Sequence, residues 1–207
     1  MDLHLTGDTH ADRILSDNPL ALLIGMLLDQ QVPMEWAFAS PARLAERLGG
    51  HLDAPTIAAM TADDLVEVFV AKPALHRYPA AMARRLHALC AHLVDEHGGA
   101  ADALWADVAD GRELLRRVKQ LPGYGDQKAR IFVALLGKQC GVTPPGWREA
   151  AGEYGLDGHR SIADVTSPES LQEVRNFKQL RKAAKPAAKP AAKPAARPAA
   201  RPKATTP

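Results

Sequence analysis

The chain has 207 residues, 46% of them hydrophobic, 24% charged and only 5% aromatic, a length that suits one domain with an appendage and a core built from aliphatic side chains and alanine. No apolar run reaches the roughly 20 residues of a membrane span, and two cysteines, Cys90 and Cys140, exclude a disulfide framework and any iron–sulfur or zinc site held by four thiolates of one chain. The net charge of +2 hides a division: residues 181–207 hold eight basic residues and no acid, which leaves about −6 on residues 1–180.

In chain order, the N-terminal Met-Asp-Leu-His-Leu-Thr-Gly-Asp lacks the basic-then-apolar order of a secretory signal, so a cytoplasmic, nucleoid-associated home is expected. Asn18-Pro19 is a cap followed by a first-turn proline, and it opens an apolar helix to about Gln31. Its run Leu20–Leu28 reads as buried. Ser40-Pro41 repeats the signature, and Gly49-Gly50 ends that helix. Thr61 caps a helix with Leu65, Val68 and Phe69 inward, although the apolar run Val66–Ala71 is ambiguous between helix and strand. Pro79 to His97 carries Met82, Leu86, Leu89 and Leu93 on one face and stops at Gly98-Gly99. Asp110 caps a helix through Leu114, Leu115 and Val118 that ends at Gln120. Another helix runs from Asp126 to Gln139, one begins near Pro145, and Ser167-Pro168-Glu169 opens the last. No alternating strand is evident, and the fold class is all-α with nine or ten short helices. The eight histidines show no metal-ligand spacing: His87, His92 and His97 recur every five residues, which is wrong for one helical face.

The most informative stretch is the turn Leu121-Pro122-Gly123-Tyr124-Gly125 with the helix that follows it. Two glycines flanking one residue permit positive φ angles and the close approach of another backbone. The amides from Gly123 onward meet the unsatisfied N–H groups of the second helix. Together they form an end suited to one phosphate, to which Lys128 in the first turn adds a point charge. A Pro-Gly turn between two helices is also common in any α protein.

The full string Leu-Pro-Gly-Tyr-Gly-Asp-Gln-Lys-Ala resembles the hairpin of the helix-hairpin-helix (HhH-GPD) DNA glycosylase superfamily, whose branches include endonuclease III. Pro19-Leu-Ala-Leu-Leu-Ile-Gly-Met-Leu-Leu-Asp-Gln-Gln31 resembles that superfamily's early helix, which ends in a glutamine near the DNA. The resemblance covers Asn18 to Tyr154 and extends toward Lys178. It implies a two-lobed multi-helix fold with a cleft, a hairpin that grips the backbone of double-stranded DNA, and extrusion of a damaged or mispaired base into the cleft. It also implies that Gln31, with Gln30 beside it, probes the duplex. A buried or capping glutamine is the alternative for either.

The sequence departs from that pattern in two places. The lysine that forms a Schiff base in bifunctional members stands two residues past the second glycine, where this chain has Gln127. Lys128 is one step on, about 100° around the helix, so a lyase reaction is not expected. The superfamily's aspartate, roughly 20 residues past the hairpin, has no counterpart, because no aspartate lies between Asp126 and Asp157. Glu149 is the first candidate for a substituted carboxylate, against an ordinary first-turn glutamate. Asp29 is the second, against a surface residue at a helix end. Trp147 is a candidate for stacking on an extruded base, with core packing as the alternative. Tyr124, at a position the family fills with an aliphatic residue, is read as packing. No cofactor or metal is expected.

Domain boundaries are set at 1–180 and 181–207. The tail repeats Lys/Arg-Pro-Ala-Ala with a period of four, and proline at that spacing blocks a helix. A disordered, partly polyproline II segment is therefore expected, resembling the tails of linker-histone-like bacterial proteins. Its Lys185, Lys189, Lys193, Arg197 and Arg201 can follow a phosphate backbone by charge alone, or act as a solubilising appendage. Three functions fit the whole: a monofunctional DNA glycosylase of base-excision repair, a catalytically inactive lesion-recognition protein of the same fold, and a nucleoid-associated structural protein.

Overall fold

The structure, a computed structural model, describes residues 2–184. The tail residues Lys185, Lys189, Lys193, Arg197 and Arg201, with the expected disorder, lie outside the described residues. Ten α-helices and three short 3-10 turns make up the described part, with no strand among the described residues: α1 (Thr9–Asp17), α2 (Pro19–Leu28), α3 (Met34–Arg47), α4 (Ala54–Ala59), α5 (Ala62–Val70), α6 (Pro79–His97), α7 (Gly111–Gln120), α8 (Asp126–Gln139), α9 (Trp147–Ala151) and α10 (Pro168–Ala184). The run Val66–Ala71 is therefore almost wholly helical. None of the described helices is long and apolar enough to cross a membrane.

α2 is the centre of the molecule. Every residue from Leu20 to Leu28 is buried, as an all-round apolar helix requires. Asn18 starts it, since its side chain accepts the Leu20 and Ala21 amides while its Nδ2 donates to the Leu52 carbonyl at 2.8 Å. Gly25 sets the approach of α3. A Cβ there would lie 2.6 Å from Phe38 Cδ1, so the two helices touch through a ring against bare backbone. α1, α4, α5 and α6 pack around this pair, and α9 covers α7 and α8.

The caps read from sequence hold at Thr61, Asp110 and Gly98. Two boundaries do not. The apolar helix expected to reach about Gln31 ends at Leu28, with Asp29 as its C-cap. Ser40-Pro41 opens no helix, because α3 starts seven residues earlier, after Pro33. A proline forfeits only its own amide bond and crowds one carbonyl. Burial of Phe38, Leu44 and Ala45 on either side outweighs that loss. Ser40 becomes an interior residue whose hydroxyl donates to Trp36 and Leu75 carbonyls.

The far side of α8 is fastened by Lys138. Its ammonium lies 2.5 Å from the Asp164 carboxylate, and both groups are buried. Asp164 also accepts the Arg160 and Ser161 amides, which fixes the segment leading into α10. α10 then runs past residue 180 to Ala184. Arg181 and Lys182 thus belong to a helix, not to the tail, and Arg181 pairs with Glu153 at 2.9 Å.

Candidate nucleic-acid interface

The hairpin has the boundaries expected: α7 ends at Gln120, five residues turn, and α8 begins at Asp126. Leu121 and Tyr124 are its buried anchors. The Tyr124 hydroxyl donates to the Leu23 carbonyl of α2 at 2.7 Å, and its ring meets Phe132 edge-on. Burial holds the phenol far above its ordinary pKa. Tyr124→Phe should cost about 1–1.5 kcal/mol in urea unfolding, the net worth of one buried hydrogen bond, with duplex affinity unchanged.

The two glycines differ. Gly123 has φ +85°, and a Cβ on it would lie 2.5 Å from Leu27 Cδ1. Gly125 is in an extended conformation, φ −75°, with nothing within 4 Å of an added Cβ. The expectation of positive φ therefore holds at the first glycine only, and the space beside the second is open. The amides of Gly123, Gly125, Asp126, Gln127 and Lys128 have no acceptor among the described residues. Asp126 sits among them, but Lys119 (2.9 Å) and Arg130 (2.8 Å) neutralise it and hold its carboxyl below the usual range.

The Lys128 side chain does not join those amides. Its ammonium turns inward and donates to the Met26 and Leu27 carbonyls at 2.6 and 2.7 Å, closing the C-terminus of α2. The reason is geometric and electrostatic: carbonyls without helical partners, at the negative end of a helix dipole, collect a cation. Burial pushes its pKa down to about 8. Gln127 is exposed and donates to the Tyr154 hydroxyl at 2.9 Å.

The two early glutamines also separate. Gln30 is tied down: its side chain donates to the Leu27 carbonyl and Met82 sulfur and accepts from Arg85. Gln31 is exposed, has no side-chain partner among the described residues, and adopts φ +56°. A non-glycine residue in that region costs about 1–3 kcal/mol and marks functional loops. His76, buried, holds this loop from beneath. Its Nδ1 accepts the Tyr78 amide, so Nε2 carries the proton and donates to the Gln30 carbonyl at 3.0 Å. Desolvation lowers its pKa.

Between these parts stands Asp29, the residue after α2. It is half-buried, and its carboxylate has no hydrogen-bond partner among the described residues. Burial raises its pKa, and the Lys178 and Lys128 ammonium groups oppose that rise only partly. Lys178, from α10, donates to the Met34 sulfur at 2.9 Å. A carboxylate left unbonded beside two lysines and a glutamine loop can hold a water or a proton.

Glu149 does not join this group. It is exposed and unpaired among the described residues, in the first turn of α9. Trp147, two residues before it, lies on Gly137 of α8, nine residues from Lys128 and so about 13 Å along the helix. Trp147 itself is corrected from a stacking candidate to a packing residue. Its ring takes the place a Cβ on Gly137 would need, and Arg148 covers it at 4.6 Å. Cys90 and Cys140 are no nucleophiles, since burial pushes their thiols up to about 12 and about 11. No cluster of three or more metal-ligating side chains occurs among the described residues. A cavity of about 710 Å³ lies between the N-terminal segment, α1 and the start of α10, lined by none of the hairpin or glutamine residues.

Lys178 and His76 are the participants that sequence reading passed over. The only signal for Lys178 was its place in a charge-rich final helix, and His76 had none. No protein-family model matches the chain, and no curated protein matches it.

Proposed function

We propose that this protein acts on double-stranded DNA in base-excision repair, as a monofunctional glycosylase of the two-lobed hairpin type with Asp29 as its carboxylate. The observation that supports the reading is the unbonded Asp29 carboxyl placed next to the hairpin by Lys128 and beside the exposed Gln31. The free amides of Gly123, Gly125, Asp126, Gln127 and Lys128 take one phosphate, and Gln31 enters the gap left by an extruded nucleotide. Water attacks the sugar carbon, the carbon–nitrogen bond breaks, and the base leaves with the bonding pair. Asp29 takes the water's proton and steadies the developing positive charge on the sugar. A raised pKa suits a base working near neutrality. Gln127 cannot form a Schiff base, and the Lys128 nitrogen is committed to two carbonyls, so strand cleavage by the protein itself is not expected.

A second reading, lesion recognition without chemistry, is favoured by the absence of an acid in the loop 141–146.

The deciding measurement is a panel of duplexes carrying single damaged or mispaired bases, incubated with the full chain and then treated with alkali. The glycosylase reading expects alkali-labile breaks at one lesion and no borohydride-trapped complex. Tight lesion binding without breaks establishes the recognition reading in its place.

A further inference from the structure

A second cavity, of about 270 Å³, opens between α8 and α10, and we propose that it binds the phosphomonoester end of a single nucleotide. The inference does not rest on the base-excision reading. It rests on an excess of positive charge around a small, partly apolar space.

Four cations line the cavity, Arg160, Lys178, Arg181 and Lys182, and no carboxylate does. Their compensation is incomplete. Glu153 neutralises Arg181 at 2.9 Å. Asp29 acts on Lys178, whose nearest bonded partner is an uncharged thioether. Arg160 has only the Asp157 carbonyl, at 3.4 Å, and Lys182 has no partner among the described residues. About two positive charges therefore face the space without an anion, which matches a dianionic phosphate rather than a carboxylate.

Phe177 prearranges the grip. Its ring lies 5.7 Å from the Arg160 guanidinium and 5.8 Å from that of Arg181, so two long side chains are ordered before any ligand arrives. The opposite end is of another character. Gln127 spends its amide N–H on the Tyr154 hydroxyl at 2.9 Å. Its Oε1 acceptor and the Tyr154 hydroxyl proton are unused among the described residues, and Ile131 supplies an apolar wall. A free acceptor and a free donor beside an apolar surface suit the edge and face of a nucleobase. The volume lies just below the usual range for ligand sites, so it takes the phosphate end and part of one nucleotide and not a length of strand.

The test is calorimetric titration of the full chain with deoxyadenosine 5′-monophosphate, deoxyadenosine and inorganic phosphate, in salt high enough to screen surface charge, about 0.3 M. The monophosphate is expected to bind about tenfold or more tighter than either fragment. Arg160→Gln/Lys182→Gln should lose about tenfold in that affinity. Arg43→Gln/Lys72→Gln, which removes the same charge from exposed positions outside the cavity, should lose less than about twofold. Lys182→Gln alone, at an exposed site, reports the same direction if the double variant is unstable. Equal losses in both double variants, a monophosphate no tighter than deoxyadenosine or phosphate, or no binding at millimolar concentration overturns the proposal. A short single strand with a 5′-phosphate, compared with its 5′-hydroxyl form, identifies the source. Tighter binding of the phosphorylated strand than of the free nucleotide assigns strand ends, and the reverse assigns free nucleotides. Asp29→Asn should keep monophosphate binding while base release is lost, which separates failure of this inference from failure of the repair reading.

Discussion

Asp29→Asn should reduce base release by about 10²–10⁴-fold and at the same time raise the melting temperature at neutral pH. Both effects have one cause. The carboxylate is half-buried with no hydrogen-bond partner among the described residues, so its ionised form costs the folded state free energy that an uncharged amide of the same shape does not. The sign follows from linkage. The folded pKa of Asp29 is raised above its unfolded value, so the folded state holds the proton more tightly, and the cost is present above the folded pKa. It vanishes as pH falls through that pKa. The melting-temperature difference between variant and wild type should therefore be largest at pH 7 and shrink on acidification. Thermal unfolding at pH 4 to 8, paired with the alkali assay, checks both halves. A variant that loses stability at pH 7, or keeps full base release, removes Asp29 from the catalytic role. Glu149→Gln, at an exposed and unpaired position, should keep full activity.

The hairpin glycines give the second large effect, and they should respond in opposite ways. Gly123→Ala places a Cβ at φ +85° and against Leu27. Left-handed strain of about 1–2 kcal/mol and overpacking of about 1–3 kcal/mol add to roughly 2–5 kcal/mol, or about 4–20 °C in melting temperature for a domain of this size. Gly125→Ala should fold with unchanged or slightly higher stability, because its φ of −75° suits any residue and its surroundings are open. On the proposed function, that same open space is where a phosphodiester comes closest. Gly125→Ala should therefore weaken duplex binding by about tenfold in a still-folded protein. Unchanged duplex affinity in Gly125→Ala means that the hairpin amides do not hold phosphate.

Local signals in the sequence account for the helical class and for the hairpin to the residue. Asp110 and the Leu-Pro-Gly turn act within a few positions of themselves, through a cap and fixed dihedrals, and distant packing does not override them. Pro41 misled because a helix interior tolerates a proline when apolar neighbours on both sides are buried, and that burial is a property of the folded chain. The site was only half legible. Asp29, Lys128 and Lys178 come from three helices, and no spacing joins them. The inward turn of Lys128 depends on carbonyls at the end of α2, and His76 is bound to the backbone of Gln30. Main-chain acceptors carry no letter, so neither attachment leaves a trace in residue order. Trp147 shows the converse, since its apparent availability disappeared once Gly137 supplied a seat for its ring.

The ammonium of Lys128 on the last carbonyls of α2 has a consequence for how this chain can vary. It splices the tail of one helix to the head of another, so the length of α2 is not a free variable. One residue inserted between Leu20 and Leu28 would swing Asp29 about 100° around the axis and pull the terminal carbonyls out of the lysine's reach. A single added codon would then undo the proposed carboxylate site and the seating of the hairpin together.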